Sequence, residues 1–199
     1  MESKEQKQIV QALKDIVSVC TFGQLNVDDL PTFDLEYVFL QIRSKSVGEV
    51  SKLKILCRDD GETYANVEVD LTEIEVQVND DHTNKIELTD EMGVIMKYPT
   101  IDSFSTAGIS DITADNMLDV IVACIDKIYD KKGEEVYDSK DSSQKELMDF
   151  VEGMNTTQFQ DVQAFFDSMP KLRHEITVVN PKTKVENIVA LSGLNDFFG

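Results

Sequence analysis

From Leu53 to Met96 the chain is written in strand grammar with acidic residues between the apolar ones, and this limits the fold more than any other stretch. Leu53-Lys54-Ile55-Leu56-Cys57 is followed by a turn at Asp59-Asp60-Gly61 and then by Tyr64-Ala65-Asn66-Val67-Glu68-Val69. An Asp-Gly turn between two such runs signals a β-hairpin. Ile74-Glu75-Val76-Gln77-Val78 alternates strictly, and Ile86-Glu87-Leu88 and Val94-Ile95-Met96 predict two more strands. Between Asp59 and Glu91 twelve acidic residues stand against one lysine, Lys85. Carboxylates are not buried unpaired, so the pattern predicts an antiparallel sheet with one wet and strongly negative face.

Helical periodicity flanks this region. Residues 2–20 place Ile9, Leu13, Ile16, Val17 and Cys20 at helical spacing, and Thr21-Phe22-Gly23 ends the run. In Leu30–Glu49, Thr32 is the predicted cap, Asp34 and Glu36 favour the first turn, Arg43 and Lys45 the last, and Gly48 the stop. Leu35, Val38, Phe39 and Ile42 form its apolar face, which leaves Glu36, Gln41 and Arg43 toward solvent or a partner. Beyond Pro99, Thr113 offers an N-cap to a stripe of Met117, Leu118, Ile121, Cys124, Ile125 and Ile128, a helix expected at the centre of the core. Residues 130–142 read as a polar connector with a short extended piece at Val136 and Tyr137. Two short helices follow, Ser143–Glu152 and Thr157–Ser168, the second capped by Asn155 or Thr156.

The chain closes with strand-like Ile176–Val179, a turn at Asn180–Lys184, strand-like Ile188–Leu191 and an apolar Phe197-Phe198 pair. Leaving that pair wet is costly, so it docks on the chain's own core or on another subunit. These elements predict an α+β fold: an antiparallel sheet of hairpins packed with about five helices. The expected organisation is a single compact unit over residues 1–199, with a possible sub-division into 1–130 and 143–199.

Aligned with each other, the hairpins around Asp59 and Pro181 share a plan of apolar strand, tight turn and second strand. In a zinc ribbon such turns carry Cys-x-x-Cys, and two of them complete a tetrahedral site. The corresponding positions here are Cys57, Asp60, Asn180 and Thr183, with one thiol among them. An amide and a hydroxyl have little affinity for Zn²⁺, so the reading is of zinc-ribbon-like hairpins without the metal ligands, vestigial positions that hold no metal.

The chain's 19 basic and 38 acidic residues give a formal charge of −19. That balance disfavours direct binding to nucleic acid or to an anionic membrane, both of which need basic residues, and it allows a basic protein partner. No apolar run is long enough to span a bilayer, and the polar Met1–Gln8 segment lacks the core of a secretory signal, so folding in a cytoplasm is expected. Cys20, Cys57 and Cys124 are odd in number and scattered, which argues against a disulfide framework. His82 and His174 belong to no ligand or nucleophile motif, and the chain has no phosphate loop or nucleophile elbow. The expectation is a protein with no catalytic residues and no cofactor.

Leu30–Glu49, with its Phe39-Leu40-Gln41-Ile42-Arg43-Ser44-Lys45-Ser46 centre, and Phe165-Phe166-Asp167-Ser168-Met169-Pro170-Lys171-Leu172 resemble segments of the baseplate hub assembly proteins of T4-like bacteriophages. The resemblance covers Phe33 to about Pro99 and Gln144 to Phe198, and some members of that family look as if they carry cysteine pairs at the two hairpin turns. It implies a phage tail protein of the baseplate hub, a built-in subunit or a transient, chaperone-like assembly factor, acting by protein contacts in the host cytoplasm. Its implied partners are hub components and the tape-measure protein, with oligomeric state left open. On the residues themselves, the partner-binding candidates are Glu68, Asp70, Glu73 and Glu75 on the acidic strands and Phe197 and Phe198 at the end. The alternative is an acidic DNA mimic that blocks a nucleic-acid-binding protein. A third reading, an enzyme with a cryptic carboxylate site, requires a pocket that sets His82 or His174 against buried acids.

Overall fold

The computed structural model describes residues 2–101, 103, 116–130 and 136–198, with side chains described from Gln8 onward. Thr113, Asp115, Asp102 and Phe104, together with connector residues 131–135, lie outside the described residues. Helices and strands are mixed as the α+β reading requires, and among the described residues every strand pairing is antiparallel. The chain forms two compact units, one of residues 1–12, 28–32 and 78–169, the other of residues 13–27, 33–77 and 170–199.

Helix α1 (Glu2–Cys20) carries two apolar stripes. Val17 is fully buried, while Ile9 (67% exposed), Ile16 and Val19 are turned outward, so Ile9 and Ile16 are not core as their spacing suggested. Phe22 and Gly23 end the helix, both at positive φ, and the Gly23 N–H bonds back to the Ser18 carbonyl.

The first unit is built on a four-stranded sheet in the order β4 (Lys85–Glu87), β5 (Met92–Met96), β6 (Ile125–Asp130), β7 (Val136–Asp138). Against it pack α3 (Met117–Cys124), α4 (Gln144–Glu152) and α5 (Thr156–Ser168), with Val94, Met96, Ile121, Ile125, Val162 and Phe165 at the centre of the apolar cluster. Two capping boxes start α4 and α5: Ser143 with Glu146, and Asn155 with Gln158. The stripe read as one helix from Met117 to Ile128 divides at Ile125, whose N–H closes α3 on the Ile121 and Val122 carbonyls before the chain turns extended. Ile128 then pairs with Val94 on one side and Tyr137 on the other. Ile-Asp-Lys-Ile-Tyr-Asp suits either state, and the open edge of β5 decides it.

The second unit holds α2 (Thr32–Val47, all but its first residue), the hairpin β1 (Val50–Leu56) and β2 (Tyr64–Asp70), a 3₁₀ turn at Leu71–Glu73, the sheet β3 (Val76–Gln77), β8 (Lys171–Val179), β9 (Glu186–Ser192), and α6 (Gly193–Phe198). Leu40, Leu53, Cys57, Leu71, Ile74, Leu172 and Phe197 form its core. The buried residues of α2 are Phe33, Leu35, Leu40 and Ser44, while Val38, Phe39 and Ile42 are only half-buried. Phe33 and Leu35 stand about 200° apart around the helix, so α2 is covered on more than one side rather than along one stripe. Thr32, read as its cap, directs its hydroxyl and N–H to the Pro99 carbonyl.

Candidate docking surface

The β1–β2 ladder sets Val50 opposite Asp70, Lys52 opposite Glu68, Lys54 opposite Asn66 and Leu56 opposite Tyr64. All eight face outward, because Ser51, Leu53, Ala65 and Val69 between them are buried. This face is therefore mixed, not strongly negative: counting acids from Asp59 onward omits the lysines of the partner strand. Lys52 Nζ lies 3.2 Å from the Glu68 carboxylate, and Lys54 Nζ sits 5.0 Å above the Tyr64 ring. Val50, Leu56 and Tyr64, each 41–51% exposed, give the face an apolar component. Asp70 caps the 3₁₀ turn by accepting the Thr72 N–H and hydroxyl, bonds that hold its carboxyl below the usual range. Glu73 and Glu75 follow, both exposed.

At the end of this hairpin the two turns foreseen as counterparts come together. Gly61 N–H donates to the Cys57 carbonyl and Lys184 N–H to the Asn180 carbonyl, the same bond in each turn, and Gly61 and Lys184 adopt matching φ values of 66° and 65°. Cys57 and Asn180 are both fully buried. The residue sequence reasoning missed is Asp59. Its carboxylate accepts from Asn180 Nδ2 at 2.9 and 3.1 Å, from Asn187 Nδ2 at 2.9 Å and from the Thr183 hydroxyl, while Asn187 Oδ1 accepts the Asp59 N–H at 3.0 Å. The Asn180 and Thr183 side chains, followed by that of Asn187, hold the Asp59 carboxyl below its ordinary range. Asp60 serves its own turn, accepting the Thr63 hydroxyl and the Thr63 and Glu62 N–H groups, which also keeps it ionised well below the usual range. Burial and then the Asp59 and Asp60 charges push the Cys57 thiol up, so it is no thiolate. Among the described residues no group of three or more His, Cys, Asp and Glu side chains could hold a metal ion. Nothing local to Asp59 marks it, since its donors stand in the Asn-x-x-Thr turn and at Asn187, 121 to 128 residues on.

Phe197 is 0% exposed, and its carbonyl accepts the buried Ser51 hydroxyl at 2.6 Å. Phe198 meets Phe39 edge-on at 6.1 Å, with the Arg43 guanidinium 5.4 Å from its ring centre. Both aromatics thus pack on the second unit itself. Glu36, expected at the surface, is drawn in by the same element: the Leu194 N–H donates to its carboxylate, and burial outweighs that bond to raise its pKa.

In the first unit, His82 Nδ1 lies 2.9 Å from Ser168 Oγ, and its ring joins a three-ring cluster, 5.5 Å from Tyr98 and 5.2 Å from Phe165, which are themselves stacked at 5.6 Å. Burial lowers its pKa. The adjacent hollow of about 340 Å³ is bordered by Lys85, Asp161, Phe165 and Ser168, and its carboxylates Asp81, Glu87 and Asp161 are exposed. His174 is half-buried on β8. Among the described residues no helix is long and apolar enough to cross a membrane.

Compared with known families, residues 1–199 match the family model described as T4 bacteriophage base plate protein. No curated protein and no solved structure matches the chain.

Proposed function

Because the chain belongs to the T4 bacteriophage base plate protein family over its whole length, we propose that it serves the central hub of the tail baseplate by docking against other phage structural proteins. The full-length family match is the observation that carries this reading. Hub components and the tape-measure protein are the proposed partners, met in the host cytoplasm while the tail is built. The outward β1–β2 face supports it, since Val50, Leu56 and Tyr64 beside Lys52, Lys54 and Glu68 combine the exposed apolar area and flanking charge that protein interfaces use. The same lysines count against phosphate mimicry, which needs an unbroken row of carboxylates.

The test is genetic and compositional. Phage carrying a stop codon in this gene is expected to accumulate heads and hubless intermediates without complete baseplates under the electron microscope. Cross-linking of the wild-type protein in infected cells is expected to recover a hub component or the tape-measure protein, and mass spectrometry of purified particles beside intermediates separates a built-in subunit from a transient factor. Normal tails in the mutant would overturn the proposal.

A further inference from the structure

The two turns of the second unit share more than a sequence pattern. Each returns an N–H four residues on to the carbonyl of its first position, Cys57 or Asn180. Each then passes through the left-handed region, at Gly61 and Lys184. Each starts from a residue with no exposed surface, whose own N–H reaches back to the opposite strand: Cys57 to the Thr63 carbonyl, Asn180 to that of Val185. This is the plan of a metal knuckle, made twice and joined through Asp59. A metal site of this kind gathers four electron-pair donors around a cation. Here the polarity is reversed: the Asn180 and Asn187 amides and the Thr183 hydroxyl gather around an anion, the Asp59 carboxylate, across 121 to 128 residues of sequence.

We propose that Asp59 stands where the ion of a two-knuckle metal fold would be, so that the clasp joining these hairpins is a latent tetrahedral metal site. The residues present do not suit zinc: of the four knuckle positions only Cys57 is a soft donor, and a bound cation would displace a carboxylate already held by hydrogen bonds. The two turns nevertheless keep one backbone plan and meet at Asp59. Asp59 closes the unit without metal, and the Lys182 ammonium, 3.9 Å from the Glu62 carboxylate at the turn tips, adds an exposed contact across the same seam.

The experiment restores the ligands. The full chain carrying Asp60→Cys, Asn180→Cys and Thr183→Cys, with Asp59→Ser to remove the carboxylate, is titrated with Co²⁺ and then with Zn²⁺. It is expected to bind one equivalent of Co²⁺ with the absorption of a tetrahedral thiolate site, at least roughly a thousandfold tighter than the unsubstituted chain, and to release it to Zn²⁺. Adding Cys57→Ser is expected to reduce the thiolate-to-cobalt absorption by about a quarter and weaken binding, which separates the designed site from binding at Cys20 or Cys124. If the variant folds only with metal, a Zn²⁺-dependent thermal transition reversed by a chelator is the supporting result. An octahedral spectrum, insensitivity to Cys57→Ser, or a chain unfolded with and without Zn²⁺ would overturn the proposal.

Discussion

Asn180 holds its position through both ends of one amide. Its Oδ1 accepts the Lys182 and Thr183 N–H groups of its own turn, and its Nδ2 donates to Asp59 on the other hairpin. Because the residue is fully buried, truncation strands the two backbone donors of its own turn and takes the amide bonds from the Asp59 carboxylate, which keeps those from Thr183 and Asn187. Asn180→Ala is therefore expected to cost about 2–4 kcal/mol at neutral pH, measured by denaturant unfolding. The sign of its pH dependence follows from Asp59. A carboxyl held below its ordinary value contributes stability that is present above that value and is lost as the pH falls toward the folded one. Asn180 is the first cause of that depression, so the gap between wild type and variant is expected to narrow as the pH drops below about 4. A gap that stays constant through the acid range would mean the amide serves only its own turn.

At the scale of elements, the pairing of β5 with β6 leaves no room for a side chain at Gly93, which stands opposite Tyr129. A Cβ added at Gly93 would run into the Tyr129 hydroxyl and the Ile86 carbonyl oxygen, one a side chain held beneath the Lys85 ammonium and the other backbone. Neither moves without disturbing the β4–β5–β6 ladder, so Gly93→Ala is expected to destabilise the first unit by about 1–3 kcal/mol in calorimetry or denaturant unfolding. What sequence could show of the elements depended on whether their signals were local. The helix starts at Ser143 and Asn155, the Asp-Gly hairpin and the strands around Asn180 were legible because each is decided within a few residues. Ile125–Asp130 was not, since it is a strand only by virtue of the edges it pairs with. Nor was α6, six residues that are helical under Phe197 burial and the Asp196 carboxylate, which accepts the Ser192 N–H. In the candidate site, the convergence of the two turns followed from their likeness to the paired turns of a zinc ribbon, but the role of Asp59 did not. A carboxylate beside a turn reads as solvated until its donors, more than a hundred residues away, are placed against it.

Across the whole molecule, charge is spread rather than focused. Of the twelve acids between Asp59 and Glu91, those up to Glu75 belong to the second unit and those from Asp80 onward to the first, and on the β1–β2 face Lys52 and Lys54 interrupt them. The formal charge of −19 therefore acts mainly as a long-range field, while the apolar side chains of that face govern how long a docked partner stays. These two contributions separate kinetically. With a basic baseplate partner recovered by cross-linking, the association rate is expected to fall steeply as salt shortens the screening length from about 14 to 7 Å, between roughly 50 and 200 mM. Replacing Glu68, Glu73 and Glu75 by Gln removes three of 38 acids and is expected to flatten that slope only slightly. Replacing Leu56 and Tyr64 by Ala is expected to leave the slope unchanged and to raise the dissociation rate about tenfold or more, in line with the loss of about 1.4 kcal/mol or more of buried apolar contact. Stopped-flow association and surface-bound dissociation read the two rates independently. Association rates indifferent to salt would remove electrostatic steering, and a dissociation rate untouched by the Leu56 and Tyr64 changes would move the docking face elsewhere on the molecule.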